Sequence, residues 1–454
     1  MKKSIGILGL VTLVWACNGP VVKEAEPVDN DTTASLEHPA WSKHSSIYEV
    51  NIRQYTPEGT FNAFKEHLPH LKELGVEILW IMPVQPIGEK NRKGKLGSYY
   101  SIKDYTAVNP EFGTMEDFKG LVNEAHDMGF KVILDWVGNH SAWDHPWMEQ
   151  HPDWYTRNDS GKVIPPVEDW FDVADLNYEA PGMQEEMMNA LKFWVKEADV
   201  DGYRCDVAMM VPMDFWNRAR KSLDSIKPVF MLAEAEGPEF HEQAFDMTYG
   251  WEFHHIMNQI AKGEEPVSAL DTYLIKMDTL YPESAYRMYF TTNHDENSWN
   301  GTIGERMGAN HKNFFVLATT FPYGMPLIYS GQEAGLNKRL SFFDKDTINW
   351  EQDTVLFDFY QQMIRLKSDH EALANGADQG DFERIATDDA SKMYAYVRSK
   401  GNDKMLVILN FSDQPGELTY QGLSSIDLLA GRAEKGSQEG AVKVAANDFT
   451  IIGL

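Results

Sequence analysis

From Ser46 to about residue 370, short apolar runs alternate with segments whose apolar residues recur every three or four positions, and this rhythm constrains the fold more than any other feature. "SIYEVNI" is followed by Phe61, Phe64, Leu68, Leu71 and Leu74, one helical face that closes at Gly75. "EILWIMPV" precedes a second such face (Met115, Phe118, Leu121, Val122, Ala125), and "KVILDWV" comes after it. "DGYRCDV", "VFMLAEA", "AFDMTY", "YRMYFTT" and "MPLIYSG" continue the strands, with helices expected near 182–198, 212–226, 268–280, 311–320 and 356–369. Continuously apolar strands are buried on both faces, which a parallel sheet covered by helices provides. Eight such units in about 330 residues predict an α/β fold, a closed (β/α)8 TIM barrel rather than an open sheet. Reactive groups should then lie at the C-terminal ends of the strands.

The flanks read differently. Lys2 and Lys3 precede the apolar run Ile5 to Trp15, too short to span a bilayer, which predicts an export signal over residues 1–17. "LVWAC" resembles a bacterial lipoprotein signal, and that resemblance implies lipidation of Cys17 and anchoring to a membrane. Residues 18–38 are acidic and without period, as in a flexible tether. The barrel is expected over 39–372, with a small subdomain inserted at about 140–180, the one connection longer than the rest. Residues 373–454 are expected to form a C-terminal antiparallel β-sandwich, with a hairpin at Gly401-Asn402-Asp403 between "KMYAYVRSK" and "KMLVILNFS", then "GELTY", "SIDLLAG" and "DFTIIGL". With Cys17 acylated, Cys205 has no disulfide partner, so packing has to stabilise an exported chain unaided.

At 43% hydrophobic and 24% charged residues, the chain is neither disordered nor a multi-pass membrane protein. A net charge of −28 repels phosphates, so nucleic acid is not expected as a partner and a neutral or cationic one is favoured; an acidic surface serving solubility explains the charge equally well.

Polar residues gather where the barrel would place its reactive face. "ILDWVGNH" ends the third strand with Asp135, Asn139 and His140; "GYRCDV" ends the fourth with Arg204 and Asp206; "LAEAE" ends the fifth with Glu234; "FTTNHDEN" ends the seventh with Asn293, His294 and Asp295. Alternate residues of a strand share a face, so Arg204 and Asp206 point together while Tyr203 and Cys205 pack oppositely. The guanidinium is expected to hold Asp206 ionised with a lowered pKa, ready to act as a nucleophile. Glu234, between Ala233 and Ala235, is expected to hold a proton near neutrality. Two carboxyls pushed in opposite directions suit acid-assisted cleavage of a glycosidic bond.

"DWVGNH", "GYRCD", the Glu234 strand and "TTNHD", with "VADLN", "WIMP" and "GMPLIYSGQE", together resemble glycoside hydrolase family 13, the α-amylase family, in order and spacing. The resemblance implies Asp206 as nucleophile, Glu234 as acid/base and Asp295 as a third carboxylate that grips sugar hydroxyls. It implies Arg204 orienting Asp206, His140 and His294 bonding hydroxyls of the sugar being cleaved, and Tyr100 stacking on that sugar. Asp135 is read as a brace of the barrel mouth. The family retains anomeric configuration, so the Asp206 and Glu234 carboxyls are expected about 5–5.5 Å apart. No cofactor is required for the chemistry. A structural calcium ion is implied at Asn139 and Asp175, with the backbone carbonyl of Met210.

Where many family members carry a Lys-His pair after the nucleophile, this chain has Met209 and Met210, either an apolar acceptor region or flexible core packing. Five of the thirteen tryptophans fall in residues 136–170, and most are expected to be core, with one or two lining the cleft. The short subdomain suggests an open cleft, hence endo-acting hydrolysis of α-1,4 bonds in starch-like α-glucans or maltooligosaccharides. The alternatives are an exo-acting α-glucosidase, an α-1,6-cleaving enzyme or a transglycosylase with the same catalytic set, and, from a different class, an inactive glucan-binding lipoprotein. The anchor and substrate imply the cell envelope of a Gram-negative, glycan-degrading bacterium, on its periplasmic or outer face.

Overall fold

The structure, a computed structural model, describes residues 36–350, 353–387, 389–421, 427–428 and 439–454. The export signal, Cys17 and nearly all of the expected tether lie outside the described residues. Among the described residues no helix is long and apolar enough to cross a membrane.

Ten strands follow the chain as far as residue 329: β1 (Ile47–Val50), β2 (Ile78–Ile81), β3 (Lys131–Trp136), β4 (His140–Ala142), β5 (Val173–Asp175), β6 (Gly202–Cys205), β7 (Phe230–Ala233), β8 (Met247–Tyr249), β9 (Tyr286–Phe290) and β10 (Gly324–Tyr329). Eight of them close into a parallel barrel in the order β1-β2-β3-β6-β7-β8-β9-β10, and β10 returns to pair with β1. All eight runs expected as barrel strands are barrel strands. β4 and β5 form an antiparallel pair inside the insertion after β3, with His140 opposite Asp175.

Both faces of the barrel strands are buried, as their continuous apolar character requires. Inside, Ile47, Ile78, Ile133, Phe230, Leu232, Met288 and Leu327 pack together; fully burying such a side chain stabilises by about 1.5–3 kcal/mol. Gly202 begins β6 at φ +154, where an added Cβ would lie 1.9 Å from the Phe230 carbonyl oxygen, so only glycine allows β6 and β7 to approach. Outside, the Met115–Asp127 helix buries Phe118, Leu121, Val122 and Ala125. A capping box starts it: Asp117 N–H donates to Thr114 Oγ1 and Thr114 N–H to the Asp117 carboxylate.

The alternation breaks at one place. Between β7 and β8 there is only a short 3-10 turn, Pro238–His241, while two helices, Trp251–Lys262 and Ala269–Leu280, separate β8 from β9. The first of these departs from the expected pattern because buried His254 and Asn258 interrupt its apolar stripe. Its end was readable, however, since Gly263 terminates it in the left-handed region at φ +73. Nor is the insertion the only long connection: residues 82–114 join β2 to the Met115 helix and carry Lys93, Tyr99 and Tyr100 over the barrel mouth.

The C-terminal part holds β11 (Asp381–Ile385), β12 (Met393–Lys400), β13 (Asp403–Asn410), β14 (Gly416–Gln421), β15 (Asp427–Leu428), β16 (Glu439–Val444) and β17 (Asp448–Gly453). A β11-β12-β13-β17-β15 sheet and a β14-β16 pair are both antiparallel. They share a core of Met393, Ala395, Leu406, Ile408, Leu418, Val444 and Ile452. The expected hairpin joins β12 to β13, with Lys400 opposite Asp403 and Gly401 at φ +61. β11 gave no sequence signal because it is a short, half-buried edge strand in which Asp381, Glu383 and Arg384 interrupt the apolar pattern.

Candidate functional site

At the barrel's C-terminal mouth the inward row of four strands turns polar: Glu49 follows Ile47 on β1, Asp135 follows Ile133 on β3, Arg204 follows Gly202 on β6, and Glu234 follows Leu232 just past β7. Ladder bonds continue beyond the strands to fix the two outermost carboxyls. Asp206 N–H donates to Trp136 O at 2.9 Å, and Glu234 N–H to Cys205 O at 3.0 Å. Cys205 itself faces outward as a buried free thiol.

Arg204 is fully buried and organises the mouth. Its Nε donates to Tyr249 Oη at 3.1 Å, and its NH1 donates at 2.9 Å to both Asp135 Oδ1 and Asp206 Oδ1. NH2 lies 2.9 Å from Glu234 Oε2, an ion-pair contact without the alignment of a hydrogen bond. Asp135 is saturated, accepting also from Trp80 Nε1 at 3.0 Å and Tyr100 Oη at 3.1 Å, a brace. Glu234 Oε2 accepts a 2.7 Å bond from the N–H of Val207. Val207 holds that position at φ +36, a left-handed conformation that a β-branched residue rarely adopts, so backbone strain is stored beside the two carboxyls.

Above this layer lies a cavity of about 490 Å³ lined by Tyr100, His140, Asp206, Glu234, His294 and Asp295. Six of the residues singled out in the sequence thus meet at one wall, with Arg204 beneath them. Tyr100 is nearly parallel to His294 and bonds its Nε2 at 2.8 Å. Asp295 Oδ2 is 3.3 Å from the same nitrogen. The two histidines differ in charge: burial depresses His140 to about 3 and leaves it neutral. Burial also opposes charge on His294, but the Asp295 and Glu49 carboxylates outweigh it and raise that ring to about 9.

Arg204 pulls the Asp206 carboxyl down as expected, but the expected net lowering does not follow. Burial is the largest influence on Asp206 and raises it well above the usual carboxyl range; Arg204 opposes this, while Glu234 and Asp135 add to it. One guanidinium charge divided among three carboxylates cannot offset their desolvation. Glu234 is raised by burial as expected, again against Arg204. The two titrate as a pair that retains a proton beyond the ordinary carboxyl range.

Asn139 and Asp175 are brought close by the β4–β5 pairing. The Asn139 amide donates to His140 Nδ1 at 3.3 Å, and Asp175 contributes one carboxylate. Among the described residues no three His, Cys, Asp or Glu side chains converge to hold a metal ion. One carboxylate and one amide turned toward a ring nitrogen do not fit the oxygen-rich shell that calcium requires.

Met209 and Met210 are 53% and 40% exposed, so core packing is not their role. Of the tryptophans at 136–170, Trp136 on β3 and Trp147 and Trp154 in the insertion are buried, and Trp170 lines the cavity against His140. Sequence reasoning missed Lys93, Asp172, Trp299, Phe342 and Phe343, which also line the cavity. Phe342 and Phe343 stand side by side in a connection without helical or strand period, a signal that could have marked them.

The chain matches the family model described as alpha amylase, catalytic domain, over residues 29–405. The chain belongs to the α-amylase family. The chain is a hydrolase of that family, and solved relatives align with about nine-tenths of it. A maltogenic alpha-amylase from Thermotoga neapolitana superposes with a TM-score of 0.82 at 28% identity, covering 90% of this chain and 98% of that one. An alpha-amylase from Lactobacillus plantarum gives 0.82 at 30% identity, covering 90% and 99%. Among curated α-amylase-family proteins, the alpha-amylase MalA of Haloarcula japonica is 29% identical over 91% of this chain; the match spans 62% of its own length. A cyclomaltodextrinase from a Bacillus species is 27% identical over 84% of this chain and 75% of its own length.

Proposed function

We propose that this α-amylase-family chain hydrolyses α-1,4-glucosidic bonds in starch-like α-glucans with retention of configuration, attacking within chains. The observation that carries this is Asp206 and Glu234 on one guanidinium, at the wall of one cavity with Asp295. Asp206 attacks the anomeric carbon while the C–O bond to the leaving sugar breaks and Glu234 gives its proton to that oxygen. The shared proton moves to Glu234 when the glycosidic oxygen is offered as its acceptor, which leaves Asp206 ionised. Water then enters; Glu234 takes its proton as the hydroxide oxygen displaces Asp206 from the sugar. His140, His294 and Asp295 hold the hydroxyls of the reacting ring, and Tyr100 packs on its face. Met209 and Met210 are exposed just beyond Val207, which itself lines the cavity.

A second reading, action on chain ends or short oligosaccharides, is favoured by one contact. Lys93 Nζ lies 3.0 Å from Asp172 Oδ1, donates to Asp169 O at 2.7 Å and sits 4.7 Å from the Phe171 ring centre. It thereby ties the β2 connection to the insertion across the cavity rim. A timed digest of amylose, pullulan and maltooligosaccharides separates the readings. The expected result is early appearance of mixed-length maltooligosaccharides with a rapid fall in iodine staining; release of a single short sugar at all times favours the second reading, and products longer than the substrate mean transfer.

The membrane anchor belongs to the same proposal: a lipid on Cys17 holds the enzyme at the cell envelope, where neutral glucans arrive. Mass spectrometry of the mature N-terminus is expected to show a diacylglyceryl cysteine, and Cys17→Ser is expected to move the protein from the membrane to the soluble fraction. An unmodified Cys17 in membrane-free protein would reject the anchor.

A further inference from the structure

We propose that Glu49 is a positioning residue for the reaction: its buried carboxylate keeps His294 in the imidazolium form, with both ring N–H groups fixed as donors. This rests on the hydrolytic reading above and extends it to a residue on β1 that touches no substrate.

The hydrogen-bond network dictates the ring's protons. Glu49 is wholly buried on the inward face of β1, and its Oε1 meets His294 Nδ1. His294 and Arg204 favour the charged form of Glu49 against the burial that raises it, and as a carboxylate it only accepts, so Nδ1 carries a proton. On the other side, the single Tyr100 hydroxyl proton is directed at Asp135 Oδ2, 3.1 Å away, where the saturated carboxylate again only accepts. Toward His294 Nε2, at 2.8 Å, the Tyr100 oxygen is therefore the acceptor, and Nε2 carries a proton as well. Asp295 Oδ2, 3.3 Å from Nε2, is a further acceptor. A ring with two donors is charged.

The charges around the ring come from every packed element. Glu49 on β1 and Asp295 after β9 favour the imidazolium; Arg204 on β6 opposes it. Asp135 on β3 acts through Tyr100, Glu234 follows β7, and the Trp80 indole of β2 meets the ring edge-on at 5.9 Å. Glu49 Oε2 has no hydrogen-bond partner. Burial raises the Glu49 carboxyl and His294 counters this, so the ring is the charge that compensates for keeping an anion in the barrel. The consequence is functional: the imidazolium donates from Nε2 at the cavity wall, where the reacting sugar's hydroxyls and Asp295 lie, and it partly neutralises three acidic groups around the cleavage point.

Because the folded ring titrates at about 9, the charge is present below that pH and lost as pH rises through it. The test is kcat/KM against pH with α-maltosyl fluoride, whose leaving group needs no proton, so that Glu234 ionisation does not set the alkaline limb. In the parent enzyme that limb is expected near pH 9. In Glu49→Gln, which can still accept from Nδ1 but brings no charge, it is expected to fall by about one unit or more, and Glu49→Asp restores part of it. A parent limb near pH 6.5, or a folded Glu49→Gln enzyme with an unmoved limb, overturns the proposal. If Glu49→Gln does not fold, the parent's own limb decides. Failure of the parent to cleave maltosyl fluoride at any pH would instead reject the hydrolytic reading.

Discussion

Asp206→Asn lowers kcat on amylose and on maltoheptaose by on the order of 10⁴-fold or more, while the melting temperature stays at or above that of the parent. The amide matches the carboxylate in shape and can still accept from Arg204 NH1, so the mouth of the barrel keeps its geometry. What it loses is the lone-pair charge that forms the bond to the anomeric carbon, and no neighbour can supply it: Asp135 is saturated by Trp80, Tyr100 and Arg204. Stability should not suffer, because burial already disfavours the Asp206 charge. Steady-state rates beside a thermal melt make the check. Turnover within tenfold of the parent would remove Asp206 from the chemistry.

Arg204→Met is expected to destabilise the fold by roughly 3–5 kcal/mol, the usual cost of stranding buried charges, and to abolish measurable activity. The substitution keeps much of the volume but leaves Asp135, Asp206 and Glu234 facing one another with no guanidinium among them. Without that charge the Asp206 and Glu234 carboxyls rise further above their unfolded values. Native protein then binds protons that the unfolded chain has released, so its stability is retained at low pH and lost as pH rises through the raised values. Denaturant midpoints of parent and variant, measured at pH 5 and pH 8, should therefore diverge more at pH 8. An equal gap at both pH values would mean that lost packing, rather than stranded charge, is the cause.

Most of the barrel was legible because its signals are local. Eight continuous apolar runs can be buried on both faces only in a covered parallel sheet, and Gly75, Gly129 and the turn at Gly401 punctuate the chain where backbone sterics demand it. The helix at Trp251–Lys262 was lost where His254 and Asn258 occupy buried positions, since a period read from apolar residues cannot register a polar residue that finds its partner inside. His254 bonds the Phe290 carbonyl and pairs with Glu296, contacts that no window of sequence contains.

The sequence by itself determined which carboxyls reach the barrel mouth: a strand alternates its faces, so once the strands are known, Asp206 must share a side with Arg204, and Glu234 must follow Leu232 inward. Only the tertiary structure decided how tightly those groups hold protons. Affinity for a proton is a sum over burial and every nearby charge, and here the sum runs across β1, β3, β6, β7 and the turn after β9. Arg204 and Asp206, read as a pair, predicted an acid held low; three carboxylates on one cation, out of water, hold it high. Glu49 was silent in the sequence for the same reason, because its partner His294 lies 245 residues away.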